Sequence, residues 1–252
     1  MTGWAVVTGA SGGLGAGFAK ELARQGANLI LVARSADKLE TLADELRARY
    51  RIQVETWPCD LVNRGARAVL AADLASREIH TLVNNAGFGS IGDFTDLPQE
   101  RISAEVELNV VALTDLTRTV LPGMKQRDRG AVINIASTAA FQPIPGFTTY
   151  AATKSYVLRL SIGLWAELHD TGVRVLAVCP GPTDTGFFSA AGNDQVMGHR
   201  RSVEQVVATS FKALRRHRPY VVDGVGNTIM AEATRLVPAT WVSQMAGWIA
   251  SH

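Results

Sequence analysis

The stretch Trp4-Ala5-Val6-Val7-Thr8-Gly9-Ala10-Ser11-Gly12-Gly13-Leu14-Gly15 runs from apolar residues through a glycine-rich turn into a helical pattern carried by Phe18, Leu22 and Ala23. A strand that turns through glycines into a helix lets backbone N–H groups approach an anion closely, and the helix N-terminus favours the charge of a pyrophosphate. Glycines alone would mark only a flexible turn. The order strand, glycines, helix is what a dinucleotide site requires, although the spacing Thr-Gly-x-x-x-Gly-x-Gly departs from the commoner Gly-x-Gly-x-x-Gly. Gly9, Ser11, Gly13, Leu14 and Gly15 are the cofactor-binding candidates of this turn.

Outward from that unit, short apolar runs alternate with amphipathic stretches. Trp4–Thr8, Asn28–Ala33, Ile52–Trp57, Thr81–Asn84, Ala131–Ala136, Val173–Cys179 and Tyr220–Val222 are the expected strands. Leu29-Ile30-Leu31-Val32 and Val175-Leu176-Ala177-Val178 are continuously apolar, which suits strands covered on both faces. The fold class is therefore α/β: a Rossmann-type doubly wound parallel sheet of about seven strands with helices on both faces. Such sheets bind ligands beyond the carboxyl ends of their strands, where the glycines, Asp60, Asn85 and Ser137 fall. Residues 1–252 read as a single domain, with a glycine-punctuated lid over 182–201 around Phe187-Phe188 and a helical tail over 226–252 carrying Trp241, Met245 and Trp248.

Composition narrows the function classes. With 252 residues, 47% hydrophobic and 19% charged, the chain can fill one large core. A net charge of +2 with both signs interspersed argues against a nucleic-acid surface, and Lys212, Arg215, Arg216 and Arg218 read as the basic end of a helix. Cys59 and Cys179 lack a Cys-x-x-Cys partner and the five histidines lack ligand spacing, so neither a disulfide scaffold nor a metal site is expected. No leader pattern and no bilayer-length apolar run occur, so a cytoplasmic protein without a membrane span is expected.

Tyr150 and Lys154 stand one helical turn apart in Thr149-Tyr150-Ala151-Ala152-Thr153-Lys154. A phenol titrates near 10 and is a poor acid or base at neutral pH, unless a nearby cation such as the Lys154 ammonium stabilises its phenolate. Together with the glycine turn, Asn84-Asn85-Ala86-Gly87, Ser137 and Pro180-Gly181, this pair resembles the short-chain dehydrogenase/reductase family over about residues 4 to 224. The resemblance implies a nicotinamide cofactor and hydride transfer at a carbonyl or alcohol carbon. It implies Tyr150 as general acid and base, Ser137 as the hydroxyl that orients the substrate oxygen, and Lys154 as the group that lowers the tyrosine pKa and binds the nicotinamide ribose. It further implies that Asn109 holds a water linking the lysine to solvent, that Asn85, Ala86 and Gly87 brace the sheet beside the adenosine ribose, and that Asp60 and Leu61 meet the adenine. Pro180, Gly181 and Thr183 correspond to the stretch against the nicotinamide. Read without the resemblance, Ser137 could be a helix cap, Asn109 a turn residue and Asp60 an N-cap.

The second strand ends Val32-Ala33-Arg34-Ser35, without the carboxylate that would accept from an NAD ribose. A guanidinium pairs with a 2′-phosphate, so Arg34, with Ser35 and Lys38, points to NADP(H) as the preferred cofactor and NAD(H) as the alternative. Gly12 stands where many NADP-preferring members carry a second basic residue. Phe88, Ile91, Phe141, Phe147, Phe187 and Phe188 are the expected wall for a small, largely apolar carbonyl or alcohol substrate. The family implies a homodimer or homotetramer through helices near Ser103–Lys125 and Tyr150–Asp170. Two rival readings are a cofactor-sensing binding or regulatory protein, which would predict loss of Tyr150 or Lys154, and an epimerase or dehydratase, which would want a longer C-terminal region.

Overall fold

The computed structural model describes residues 3–185, 187, 191, 200–234, 237, 240 and 241. Most of the expected lid lies outside the described residues, Phe188 included, and so do Met245 and Trp248 of the tail.

Seven parallel strands form one sheet in the order β3-β2-β1-β4-β5-β6-β7. They are β1 (Trp4–Thr8), β2 (Asn28–Ala33), β3 (Val54–Pro58), β4 (Ile79–Asn84), β5 (Gly130–Ile135), β6 (Val173–Cys179) and β7 (Tyr220–Val222). The order reverses between β1 and β4, and this switch point is where an open α/β sheet leaves a crevice for a ligand. The expected strand at Ile52–Trp57 begins at Val54 instead, because Arg51 adopts a left-handed conformation that ends the preceding helix and delays the pairing. That strand closes on Pro58, tolerated because β3 is an edge strand.

Burial on both faces explains the continuous apolar runs. Ala5 and Val7 of β1 and Leu29, Leu31 and Ala33 of β2 point to one core, while Val6, Ile30 and Val32 between them point to the other. The first core packs against α1 (Gly13–Arg24), α2 (Ala36–Tyr50) and α7 (Val203–Arg215), through Phe18, Leu22, Leu39, Leu46 and Phe211. The second packs against α3 (Arg64–Ala75) and α5 (Leu113–Gln126), through Leu70, Leu74, Leu116, Val120 and Met124, and takes Leu164 and Trp165 from α6 (Thr148–Glu167). Lys212 and Arg215 lie in the last turn of α7, where they complement its dipole.

The long helix expected from Ser103 is divided. Helix α4 (Gln99–Val106) passes into a π-helical segment, Glu107–Ala112, before α5 begins. Helix α8 (Val225–Ala233) follows β7. Among the described residues, no helix is long and apolar enough to cross a membrane.

Candidate active site

Buried polar contacts lock the strand ends that carry the site. The Thr8 hydroxyl accepts from the backbone N–H groups of Asn85 and Ala86 (3.0 Å each), and the Asn85 amide donates to the carbonyls of Thr8 (3.0 Å) and Gly9 (3.2 Å). The glycine turn after β1 is thereby fixed to the turn after β4. Behind it, Asn84 donates to Thr117 and Asn134 (2.9 Å each), and Asn134 donates to Ser161 (3.0 Å). This chain ties β4 to β5, α5 and α6 where apolar packing alone would fix no register.

Above these strand ends lies a cleft of about 2040 Å³. It runs from the glycine turn past Arg34 and Asp60 to Ser137, Tyr150 and Lys154. Every residue the sequence reading assigned to cofactor binding lines it except Gly15. A Cβ on Gly15 would stand 2.2 Å from the Gly9 carbonyl oxygen, so this glycine lets the turn close onto α1 instead of forming a wall. Ser137 follows β5 and caps a short 3₁₀ turn (Thr138–Phe141), accepting from the Ala139 N–H at 3.1 Å. Tyr150 and Lys154 sit on consecutive turns of α6, the Lys154 Nζ 5.5 Å from the phenol ring centroid.

The chain as a whole matches known proteins in sequence and fold. A sequence profile of the short chain dehydrogenases fits residues 3–196. The chain belongs to the short-chain dehydrogenase/reductase family. It is 36% identical over 181 residues to the very-long-chain 3-oxoacyl-CoA reductase of Bos taurus, an alignment covering 70% of this chain and 58% of that protein. The chain thus spans little more than half the length of that curated relative. A short-chain dehydrogenase from Sphingobium yanoikuyae, solved in complex with NADPH, superimposes with a TM-score of 0.85 at 34% identity, over 92% of this chain and 93% of that one. The bulky-bulky ketone specific alcohol dehydrogenase from Comamonas testosteroni does so with a TM-score of 0.81 at 30% identity, over 93% and 92%.

The residues of this short-chain dehydrogenase fit a nicotinamide dinucleotide. Gly9 and Gly13 adopt left-handed conformations (φ 64° and 52°), and a Cβ on Gly9 would meet the Asn85 amide at 2.7 Å. Helix α1 starts at the same turn with no acidic residue in its first turn to repel a phosphate. At the other end of the cleft wall, Arg34 is exposed just beyond β2, and Ser35 stands at the N-cap of α2 without a side-chain cap bond. Asp60 does not cap α3; it accepts from the Val62 N–H at 3.1 Å, and Asn63 is the cap, accepting from Ala66.

The electrostatics of the tyrosine differ from the sequence expectation. The Tyr150 ring is buried, stacked on Phe147 at 4.3 Å between centroids and tilted against Phe187 at 5.3 Å. Burial pushes its phenol well above the ordinary range, Ser137 opposes the shift by favouring the phenolate, and the Glu105 carboxylate adds to it. Lys154 is itself pushed down to about 8 by burial, against the pull of Glu105, and its Nζ donates to the Ile135 carbonyl at 2.8 Å. Burial therefore sets the direction of the shift, with no opposing effect of the Lys154 charge resolved, and this arrangement favours the neutral phenol that can donate a proton.

Asn109 lies off the cleft wall, in the π-helical segment. Its Oδ1 accepts from the Phe88 N–H (3.2 Å) and its Nδ2 donates to the Phe88 carbonyl (2.8 Å) and the Thr153 hydroxyl (3.1 Å). Thr153 in turn donates to the Tyr150 carbonyl at 2.8 Å, so the asparagine clamps the loop after β4 to the helix turn that carries the tyrosine. Phe141 also leaves the expected substrate wall: it packs against Tyr220, 6.1 Å between centroids, on the far side of the 3₁₀ turn.

Sequence reasoning missed several contributors. Ile144, Met230 and Val237 line the cleft. Gly89 admits the stacked rings, since a Cβ there would stand 2.6 Å from Phe147 and 2.9 Å from Tyr150. Asp223, fully buried, pairs with Arg201 (2.8 Å), whose backbone joins Pro182, Thr183 and Asp184, holding the segment after β6 beside the cleft. The glycine after Asn85-Ala86-Gly87 was a visible signal; the Asp223–Arg201 pair, between distant positions in the chain, gave none.

Proposed function

We propose that this short-chain dehydrogenase transfers a hydride between NADP(H) and the carbonyl or alcohol carbon of a small, largely apolar substrate, with Tyr150 as general acid and base. The observation that carries the reading is the convergence of Ser137, Tyr150 and Lys154 on one cleft whose other end is the glycine turn. Gly9, Ser11, Gly13 and Leu14 would receive the pyrophosphate, Asp60 and Leu61 the adenine, and Lys154 the nicotinamide ribose. The bound nicotinamide supplies or accepts the hydride. Ser137 holds the substrate oxygen by a hydrogen bond, and the neutral Tyr150 phenol gives it a proton as reduction proceeds. Burial of the phenol keeps that proton in place until a partner of sufficient basicity is present.

Arg34, Ser35 and Lys38 on the cleft wall, with no carboxylate at the end of β2, support a preference for NADP(H). Phe88, Ile91, Ile144, Phe147, Phe187 and Met230 support an apolar carbonyl substrate, bulky enough to span them, in line with the 3-oxoacyl-CoA reductase and the bulky-bulky ketone specific alcohol dehydrogenase among its relatives. Val106 and Tyr156, partly exposed on α4 and α6, support self-association through those helices. The test is a spectrophotometric panel of aryl, cyclic and long-chain ketones and aldehydes with NADPH and NADH. Oxidation of NADPH by the bulky apolar members is expected; no oxidation with any carbonyl would refute the reading.

A further inference from the structure

Glu105 is an acid whose side chain is fully enclosed beside this site, and the reaction outlined above gives it no task. It lies on α4 with none of its surface exposed, and both carboxyl oxygens are buried without a hydrogen-bond partner among the described residues. An enclosed carboxylate with, of the described residues, only Ser90 beside it as a weak donor is among the costliest groups a core can hold. A Leu at this position would fill the space without that cost.

The groups around it come from three elements. Arg101, one turn earlier on α4, donates to the Ser90 hydroxyl (2.9 Å) and the Gly89 carbonyl (3.3 Å). Ser90, itself buried, lies in the loop after β4 and favours the ionised carboxyl. Helix α6 packs directly on α4, and the charges of Arg101 and then Lys154 act on the Glu105 carboxyl, whose own charge acts on Tyr150. The Lys154 Nζ donates to the Ile135 carbonyl of β5 and lies against Gly87. A Cβ on that glycine would stand 3.4 Å from the Nζ and 2.8 Å from the Oδ1 of Asn109, one turn beyond Glu105 on the same helical face. The charges that bear on the lysine are those of Glu105 and the Cys179 thiol of β6. A buried thiol is a poor anion, so the carboxyl group is the one strong source of negative charge available to the lysine among the described residues.

We propose that Glu105 is a positioning residue of this centre, supplying from behind α6 the counter-charge that keeps the Lys154 ammonium ionised in its buried place. This inference rests on the oxidoreductase reading only in that Lys154 contacts the cofactor. The carboxyl group neither lines the cleft nor touches substrate; it acts through the lysine. Its cost to the core is the counterpart of keeping a charged donor buried at the far side of the cleft floor. The same charge disfavours ionisation of the phenol, so it favours the protonated form of both neighbours, while burial raises the pKa of Glu105 itself.

The test reads cofactor binding without turnover. NADPH affinity is measured by nucleotide fluorescence from pH 6 to 10 for the wild-type chain, Glu105→Gln and Glu105→Asp, with melting temperature recorded alongside. Removing the charge without changing the volume should move the alkaline loss of affinity down by about one pH unit, the scale of an opposite charge within a few ångströms. Glu105→Asp, which keeps the charge one methylene further back, should displace the limb partway, by less than Glu105→Gln does. A folded Glu105→Gln whose limb stays where the wild type has it overturns the proposal. If that variant does not fold, a Glu105→Asp limb displaced partway supports the proposal and an undisplaced one overturns it. Failure of the wild-type chain to bind NADPH at any pH would remove the oxidoreductase reading itself, and with it this inference, whereas normal binding with an unmoved limb removes the inference alone.

Discussion

Replacing Asn109 by Ala tests whether the π-helical segment exists to hold a clamp. The side chain is 1% exposed and makes three hydrogen bonds, two to the backbone of Phe88 and one to Thr153. Each such bond contributes about 0.5–1.5 kcal/mol net, and a buried partner left unsatisfied costs about 1–3 kcal/mol. Three bonds lost together, with some partners recovering water from the adjacent cleft, give an expected destabilisation of about 2–4 kcal/mol. For a chain of this size that lowers the melting temperature by roughly 5–15 °C. Because Thr153 also holds the Tyr150 carbonyl, turnover should fall more than cofactor affinity does. Urea unfolding with an unchanged m-value, and steady-state kinetics on the same preparation, supply the two readings. A loss below about 1 kcal/mol, or a large kinetic defect with full stability, would refute the clamp and leave a role confined to proton relay.

Other substitutions probe neighbouring claims. Gly89→Ala places a methyl group against Phe147 and Tyr150 and should cost about 1–3 kcal/mol of stability by overpacking, with a raised KM; wild-type kinetics would show that the rings can retreat. Arg34→Asp should shift the NADP/NAD preference toward NAD by roughly tenfold to a hundredfold, the scale of one charge-assisted hydrogen bond, and an unmoved ratio excludes Arg34 as the phosphate reader. Burial pushes the Lys154 ammonium down to about 8, so if the proposed contact with the ribose needs the charged form, affinity of the free enzyme for NADPH should hold below that pH and fall as pH rises through it. A profile flat to pH 10 would contradict the burial of the lysine.

The fold was legible because covering a parallel sheet on both faces leaves an unmistakable trace: Leu29 to Val32 are apolar without interruption since alternate residues enter two different cores. Thr8, the glycines and Asn85 could be placed for a related reason, since strand ends and turns are local features. What stayed hidden depends on contacts between distant parts of the chain. Glu105 and Arg67 look like surface charges in the sequence, yet Arg67 is buried because Glu107, Asp115 and the Leu61 carbonyl gather around it. The π-helical segment forms where Asn109 reaches Phe88 and Thr153, neither of which its neighbours in sequence reveal. The spacing of Tyr150 and Lys154 predicted their adjacency correctly but not the sign of the phenol's shift, because Phe147 and Phe187 enclose the ring from outside the helix. Phe141 shows the same limit: its proximity in sequence to Ser137 did not carry it into the cleft.

The central claim, that the Tyr150 phenol is the proton donor, is met most directly by a single-turnover measurement on enzyme preloaded with NADPH and mixed with a ketone the wild type reduces. Tyr150→Phe removes only the hydroxyl and leaves the stacked ring. Hydride transfer should slow by about a hundredfold to ten-thousandfold, the range for a lost general acid, while NADPH affinity stays within about threefold, under 1 kcal/mol. Transfer at the wild-type rate in a variant that binds NADPH normally would contradict the account.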